Sequence, residues 1–294
     1  GELIGAELRA LGINMNFAPT VDVYVNPEAH VIGPRAFSSD PLQTAVLAQA
    51  YLHGMRSQGI ICTAKHFPGH GNADRDSHGS LPIIDDPLSV LMERDLLPYR
   101  MLIPEGLPAV MTGHLAFPRI SGETVPASLS PEIIGGVLRE KLRFKGLVIT
   151  DDLRMNGAQH SGEGIPQAAA EALRAGNDMI MISLDSRLHQ QVWDHLSREL
   201  ARDPAFRPLL EEAVTRILKI KTEYLAVDTH VPFAPETGFL AQRIPADREF
   251  LFQLACRAVT PVADATLPLK EQERLLLVGQ LPGFLAAGSE RLPE

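Results

Sequence analysis

Cysteine is almost missing from this chain: 294 residues hold two, Cys62 and Cys256. A pair so far apart builds neither a disulfide framework nor a metal-binding spacing. Cys62 lies in an apolar run and reads as a small core residue. Positive charge is also short, with 27 Lys and Arg against 36 Asp and Glu and a net charge of −9. That balance argues against a nucleic-acid surface and against docking on an anionic membrane. No apolar run approaches the ~18 residues that a membrane span needs. What is present is 45% hydrophobic and 21% charged, the composition of a globular protein, with length for one large domain or two ordinary ones.

Short apolar segments alternate with longer helical patterns. The apolar ones are 13–23, 60–65, 109–114, 147–151 and 179–183, and the helical ones include 1–12, 41–58, 131–141, 165–175 and about 186–221. Strand and helix in alternation imply a parallel sheet with crossover helices, and continuous apolar runs are what fully buried parallel strands require. Each run ends in polar residues: Asp22, then Lys65 and His66, then His114, then Asp151 and Asp152. A doubly wound sheet also gathers ligands at its strand ends. Polar ends on at least four strands favour a ring around one mouth, an α/β fold of the (β/α)8 TIM-barrel type. Only five strands are counted before residue 225, or six if one is hidden, so the barrel is expected to lack its first strands and to carry unpaired edges.

Residues 1–227 are therefore assigned to a partial barrel. The segment 228–245, with DTHVPFAPETG, reads as a linker, and 246–294 as the start of a second α/β domain. In that last part Leu251, Leu254, Ala255, Ala258 and Val259 follow helical spacing, and RLLLVG at 274–279 reads as a buried strand. Gly279 and Gly283 after it are read as a turn rather than a phosphate loop.

The densest polar segment is KHFPGHGNADRDSHGSLP, residues 65–82. It is too rich in glycine and charge for a helix or core strand, so it is a long loop after a strand, the kind of loop that carries function. In Asp76-Ser77-His78 a carboxylate can fix one ring nitrogen of the imidazole and leave the other to transfer a proton. A solvated histidine beside a turn-forming aspartate is the plainer reading of those three residues alone. His66, His70, Asp74, Asp76 and His78 are also all metal-ligand types, so a metal-dependent barrel hydrolase stays open at this point. In VITDD one carboxylate must face the mouth; Asp152 serves equally well as the cap of the next helix.

KHFPGHG followed by DSHGSLP closely resembles the signature of bacterial β-N-acetylglucosaminidases of glycoside hydrolase family 3. FAPTVDVYVNPEAHVIGPRAFSSDP, VITDDLRM, AGNDMIMI and ACRAVTPVADATLPL with RLLLVG resemble further parts of that family, in order along nearly the whole chain. The resemblance implies a retaining glycosidase that removes non-reducing β-linked N-acetylglucosamine from oligosaccharides or cell-wall fragments by double displacement. It implies Asp151 as nucleophile, His78 as acid/base and Asp76 as the residue that orients His78. Arg35, Lys65 and His66 would bind sugar hydroxyls, and Asp22 and His114 are further candidates for the mouth. His70 would support the loop. No cofactor, metal, nucleic acid or membrane span is implied, and the compartment is either bacterial cytoplasm or cell envelope. Nothing resembling the family's earlier segment with an Asp and an E-G-G-R-like stretch precedes Gly1, and the residues EAH before VIGPR depart from its pattern. A non-catalytic sugar-binding remnant is the alternative that this gap motivates.

Overall fold

The computed structural model describes residues 1–27, 29–73, 77, 79–159, 162, 164–225 and 237–258. Two compact units divide the chain, Gly1–Ile244 and Pro245–Glu294. In the first, five parallel strands lie in chain order: β1 Met15–Asn16, β2 Ile61–Phe67, β3 Ala109–Thr112, β4 Leu147–Asp152 and β5 Met179–Met181. The sheet is curled into a half-barrel, as the alternation of runs predicts, and β1 and β5 are its two edges among the described residues.

Side-chain alternation along each strand separates two apolar regions. Ile61, Ala109 and Leu147 face inward and meet Met15 and Met179 in one layer, with Ile217, Ile220 and Tyr224 packed on it. Those last three belong to helix α8 (Phe206–Leu225), which seals the N-terminal end of the strands. Cys62, Ala64, Val110 and Val148 face the other way into the larger core, which is built with Leu52 and Met55 of helix α2 (Pro41–Ser57) and with Tyr99, Leu102, Ile134 and Leu138. Leu147 and Ile149 lie on the inward face; the pairing of β4 with β5 then shifts register between Ile149 and Asp152, and Asp151 Oδ2 stands 3.7 Å from His66 Nε2 at the C-terminal mouth.

Sequence signals account for most element bounds. Helix α1 (Glu2–Ala10) has Gly1 as N-cap and no side-chain cap. In α2, Pro41 opens the helix and the Asp40 carboxylate accepts from Gln43 N at 2.7 Å, an ordinary N-cap with proline in the first turn. Helices α3 (Leu88–Glu93), α4 (Leu97–Leu102) and α5 (Pro118–Ser121) are short pieces between strands. The segment Glu132–Lys141 is wound as a π-helix. Helix α6 (Ile165–Ala175) has the expected bounds and ends at Gly176, whose φ of 107° lies where glycine is favoured.

Three expectations change. The run 13–23 contributes only two strand residues; beyond them the chain continues beside β2 through single bonds such as Val21 N to Lys65 O, 2.8 Å. Pro19 has no N–H to give to the ladder, so regular pairing is interrupted there. The long helical pattern 186–221 divides into α7 (Ser186–Arg202) and α8. Pro204 disfavours helical geometry at Asp203, which is extended with φ −113° and ψ 100°. Residues 237–245, read as linker, are helical, forming part of α9 (Thr237–Ala258) with Pro245 inside it. The rest of the linker, Val259 and the strand at 274–279 lie outside the described residues.

Candidate active site

The mouth is built on β2 and β4. Past Ala64 the pairing of β2 with β3 shifts register, and the Lys65–His66 and Phe67–Pro68 peptide bonds are cis. Lys65 and His66 both lie at this irregular strand end. Below them Asp22 is enclosed, with no exposed side-chain surface. Its Oδ2 lies 2.8 Å from His66 Nδ1, its Oδ1 accepts from His70 N at 2.6 Å, and both oxygens accept from His66 N at 3.2 Å. Burial alone would raise the Asp22 pKa; the contacts with His66 and His70 outweigh it, and the group is held below the usual carboxylate value. An ionised Asp22 accepts the Nδ1 proton of His66 and leaves Nε2 for the mouth.

His66 Nε2 lies 3.5 Å from Arg35 Nη2 and 3.7 Å from Asp151 Oδ2. Arg35 ends a short 3-10 turn, Gly33–Arg35, where its Nη1 donates to Val31 O at 3.1 Å. Burial lowers the Lys65 pKa, the nearby Arg35 lowers it further, and Asp151 and Asp22 oppose both. Arg35, Lys65, His66 and Asp151 are thus electrostatically coupled to one another at the ends of β2 and β4.

Asp151 is held at one end. Its Oδ1 accepts from Asp152 N at 2.8 Å, and its side chain keeps 18% exposure. The neighbouring Asp152 turns elsewhere: its carboxylate accepts from Arg154 N, Ser183 N and the Ser183 hydroxyl. These bonds lower its pKa against the opposing effect of burial. Asp152 ties the ends of β4 and β5 together, and Asp151 is the carboxylate of the pair that faces the cleft.

Two expected mouth residues act from beneath. Asp22 has no exposed surface with which to meet a sugar. His114 is 1% exposed; its Nε2 donates to Asp152 O at 3.1 Å and its Nδ1 accepts from Ser128 Oγ at 2.7 Å. That assignment follows from the carbonyl, which can only accept. Burial lowers the His114 pKa, which suits a neutral ring. Both residues position their neighbours. Asp76 and His78 lie outside the described residues.

Sequence reasoning also passed over a layer under the loop. Asn72 Nδ2 donates to Asp86 Oδ2 at 2.9 Å, Arg94 Nη2 donates to the same oxygen at 2.6 Å, and Arg94 Nε donates to Asp95 Oδ2 at 2.8 Å. Gly69 sits on Asp95 so closely that an added Cβ would lie 2.6 Å from Asp95 Cβ, which leaves room for glycine alone. The R-D pair at 94–95 was the one available signal. Among the described residues no three or more His, Cys, Asp or Glu side chains are grouped to hold a metal ion. His66 and His70, two of the candidate ligands, already spend a ring nitrogen on Asp22 and on Ser77.

Comparison with known proteins agrees with this architecture. Residues 1–220 match the model of the glycosyl hydrolase family 3 N-terminal domain. A β-hexosaminidase of Idiomarina loihiensis is 39% identical over 218 residues, which cover 74% of this chain and 62% of that protein. β-Hexosaminidase A of Pseudoalteromonas piscicida is 32% identical over 291 residues, 93% of this chain and 48% of that protein. A family 3 β-N-acetylglucosaminidase structure from Paenibacillus sp. str. FPU-7 superposes with a TM-score of 0.75 at 38% identity, covering 81% of this chain and 45% of that one. The chain thus spans 62% and 48% of the length of the two curated relatives.

Proposed function

Because the chain belongs to glycosyl hydrolase family 3, we propose that it carries the catalytic barrel of a retaining β-N-acetylglucosaminidase, with Asp151 as nucleophile. The observation that carries this reading is the Asp151 carboxylate. It stands on a rigid strand end with Oδ1 anchored by a backbone amide and Oδ2 on the cleft side, 3.7 Å from His66 Nε2. A nucleophile held this way meets the anomeric carbon without first losing side-chain freedom.

In the first displacement an Asp151 oxygen bonds to the anomeric carbon as the glycosidic C–O bond breaks. His78 donates a proton to the departing oxygen. In the second, His78 takes a proton from water, the water oxygen bonds to the anomeric carbon, and Asp151 leaves; two inversions give net retention. Asp76 orients His78, an assignment that rests on the D-S-H spacing and on the resemblance. Arg35, Lys65 and His66 bind sugar hydroxyls through charged or polar hydrogen bonds. Asp22 and His114 act one step back, through His66 and through the Asp152 backbone. The preference for N-acetylglucosamine rests on the D-S-H loop, and the similar proteins named β-hexosaminidase and β-N-acetylglucosaminidase support it. Cell-wall fragments are a natural source of such a sugar.

The test is hydrolysis of an aryl β-N-acetylglucosaminide beside the matching β-glucoside. Turnover selective for N-acetylglucosamine is expected, with the β-anomer released first. Asp151→Ala is expected to lose roughly 10⁴-fold or more in kcat. Full activity in Asp151→Ala would remove the nucleophile from the mechanism, and equal turnover of the glucoside would remove the stated specificity.

A further inference from the structure

His114 holds the Asp152 carbonyl through Nε2 and is itself held through Nδ1, which faces the Ser128 hydroxyl at 2.7 Å. Ser128 is buried in the 3-10 turn Ala127–Leu129. That turn folds back onto the end of β3. Ser128 N donates to Gly113 O at 3.2 Å, and Ala127 N donates to Leu115 O at 2.7 Å. Both chain neighbours of His114 are thus bonded to the turn whose hydroxyl meets its ring.

Ser128 is anchored in turn by Asn177, which is buried between α6 and β5. Asn177 Nδ2 donates to Ser128 O at 2.8 Å and to Ala172 O at 2.7 Å. Both partners are carbonyls and can only accept, so the orientation of the amide is fixed and Oδ1 is left as the acceptor. Thr112 Oγ1 donates to that oxygen at 2.9 Å. One side chain therefore joins β3, the turn after it and α6.

The direction of each hydrogen follows. The Asp152 carbonyl accepts, so Nε2 carries the proton of the neutral His114 ring. Nδ1 is then a lone pair, and the Ser128 hydroxyl gives its hydrogen to it. Asp152, where this chain of bonds ends, is engaged at every polar group. Its N–H anchors Asp151 Oδ1, and its carbonyl accepts from Met155 N at 3.0 Å as well as from His114. Arg154 and Met155 are local partners. Ser183 ties Asp152 to the end of β5, and His114 ties it to the end of β3.

We propose that Ser128 is a positioning residue for Asp151: its hydroxyl fixes the His114 ring, His114 fixes the Asp152 backbone, and the Asp152 N–H fixes the Asp151 carboxylate. The proposal rests on the reading of Asp151 as nucleophile. A displacement of about 1 Å at a reacting group can cost on the order of 100-fold in rate. Ser128 is buried and offers no surface to a substrate, so any effect it has on turnover passes through His114.

The experiment uses Ser128→Ala, which removes the hydroxyl and leaves the backbone carbonyl that Asn177 holds. Hydrogen exchange at the Asp152 amide, read by NMR, needs no activity. It is expected to quicken roughly ten-fold, the equivalent of one lost hydrogen bond. The Val148 amide, which donates to Asp178 at the other end of β4, should keep its wild-type rate. Ser128→Cys, with a weaker donor in nearly the same space, should fall between. In turnover, Ser128→Ala should lower kcat about ten-fold with KM little changed. The loss should be the same on activated and on poor leaving groups, because a displaced nucleophile attacks less well whichever group departs. Arg216→Met, which loosens the opposite end of the strands, should keep the wild-type kcat. A wild-type exchange rate at Asp152 in Ser128→Ala would overturn the proposal, and so would equal quickening at Asp152 and Val148, which would mark general loosening. Quickening confined to Asp152 with a wild-type kcat would overturn the role in positioning the nucleophile. If the wild-type chain turned over no N-acetylglucosaminide, the function proposed above would fail, and the exchange rates would still decide whether Ser128 holds the Asp152 backbone.

Discussion

Asp22 holds His66 at 2.8 Å through Nδ1 and is itself closed off from solvent, although the two residues are 44 apart in sequence. The same carboxylate accepts the backbone N–H groups of His66 and His70, so it sets both the ring and the chain that carries it. In Asp22→Asn, one oxygen of the three-donor site becomes an NH₂ that faces other donors. The expected cost is about 3 kcal/mol of folding stability. Where the variant is folded, kcat/KM should fall on the order of 10- to 100-fold, because His66 loses its fixed orientation toward the sugar. Denaturant titration and kinetics on one preparation separate the two effects. Wild-type values in both would show that Asp22 is a bystander.

Asp95 lies between α3 and α4, and its response to pH runs opposite to that of Asp22. Burial pushes its pKa up to about 6 against the pull of Arg94, and its Oδ1 is enclosed without a hydrogen-bond partner among the described residues. A carboxyl whose pKa is raised on folding adds stability that is fully present below its unfolded value, near 3.9, and is lost as pH rises through about 6. The gap corresponds to roughly 3 kcal/mol. Asp22, held low, adds stability above its unfolded value and loses it as pH falls through its folded one. Asp95→Asn keeps the shape and removes the titration. Relative to wild type, the variant should therefore gain stability between pH 4 and 7 by an amount of that order. Urea titrations at several pH values measure the difference. A constant offset across that range would mean that Asp95 stays ionised in the fold.

The contrast between these two aspartates explains what could be read from the sequence. Periodicity locates β4 and α6 closely, because a buried strand must be apolar throughout and an amphipathic helix must repeat. It also places Asp151 at the strand end, where the apolar run stops. The polar end of an apolar run points to Lys65 and His66, whereas Arg35 enters through the family resemblance alone. Contacts between residues far apart in sequence leave no such trace. That Asp22 supports His66 from below, or that Asn177 reaches Ser128, follows only once the chain has bent around the sheet. The burial of Asp22 and His114 is hidden in the sequence for the same reason: a polar residue at a strand end can face the cleft or the layer beneath, and only the folded chain decides which. The split of 186–221 into α7 and α8 was visible in Pro204, whose effect on Asp203 is local.

At the opposite end of the strands, Asp178 makes the last prediction independent of catalysis. Its Oδ2 accepts from Arg139 Nη2 and from Val148 N, and its Oδ1 from Arg216 Nη1, each at 2.8 Å. One buried carboxylate thus joins the π-helix, the start of β4 and α8, the helix that seals the inward layer. Burial raises its pKa and the two arginines oppose the rise. Asp178→Ala strands the largely buried Arg139 guanidinium without its partner, and removing one member of a buried ion pair costs about 3–5 kcal/mol. Arg216→Met removes a more exposed partner and leaves Arg139 paired, so about 1 kcal/mol is expected. The order of the two losses is the critical result, and chemical denaturation near pH 7 measures it. An Arg216→Met loss as large as that of Asp178→Ala would mean that the carboxylate depends on α8 rather than on Arg139. Turnover by the folded fraction of either variant should stay at the wild-type level, because neither residue reaches the mouth where Asp151 stands.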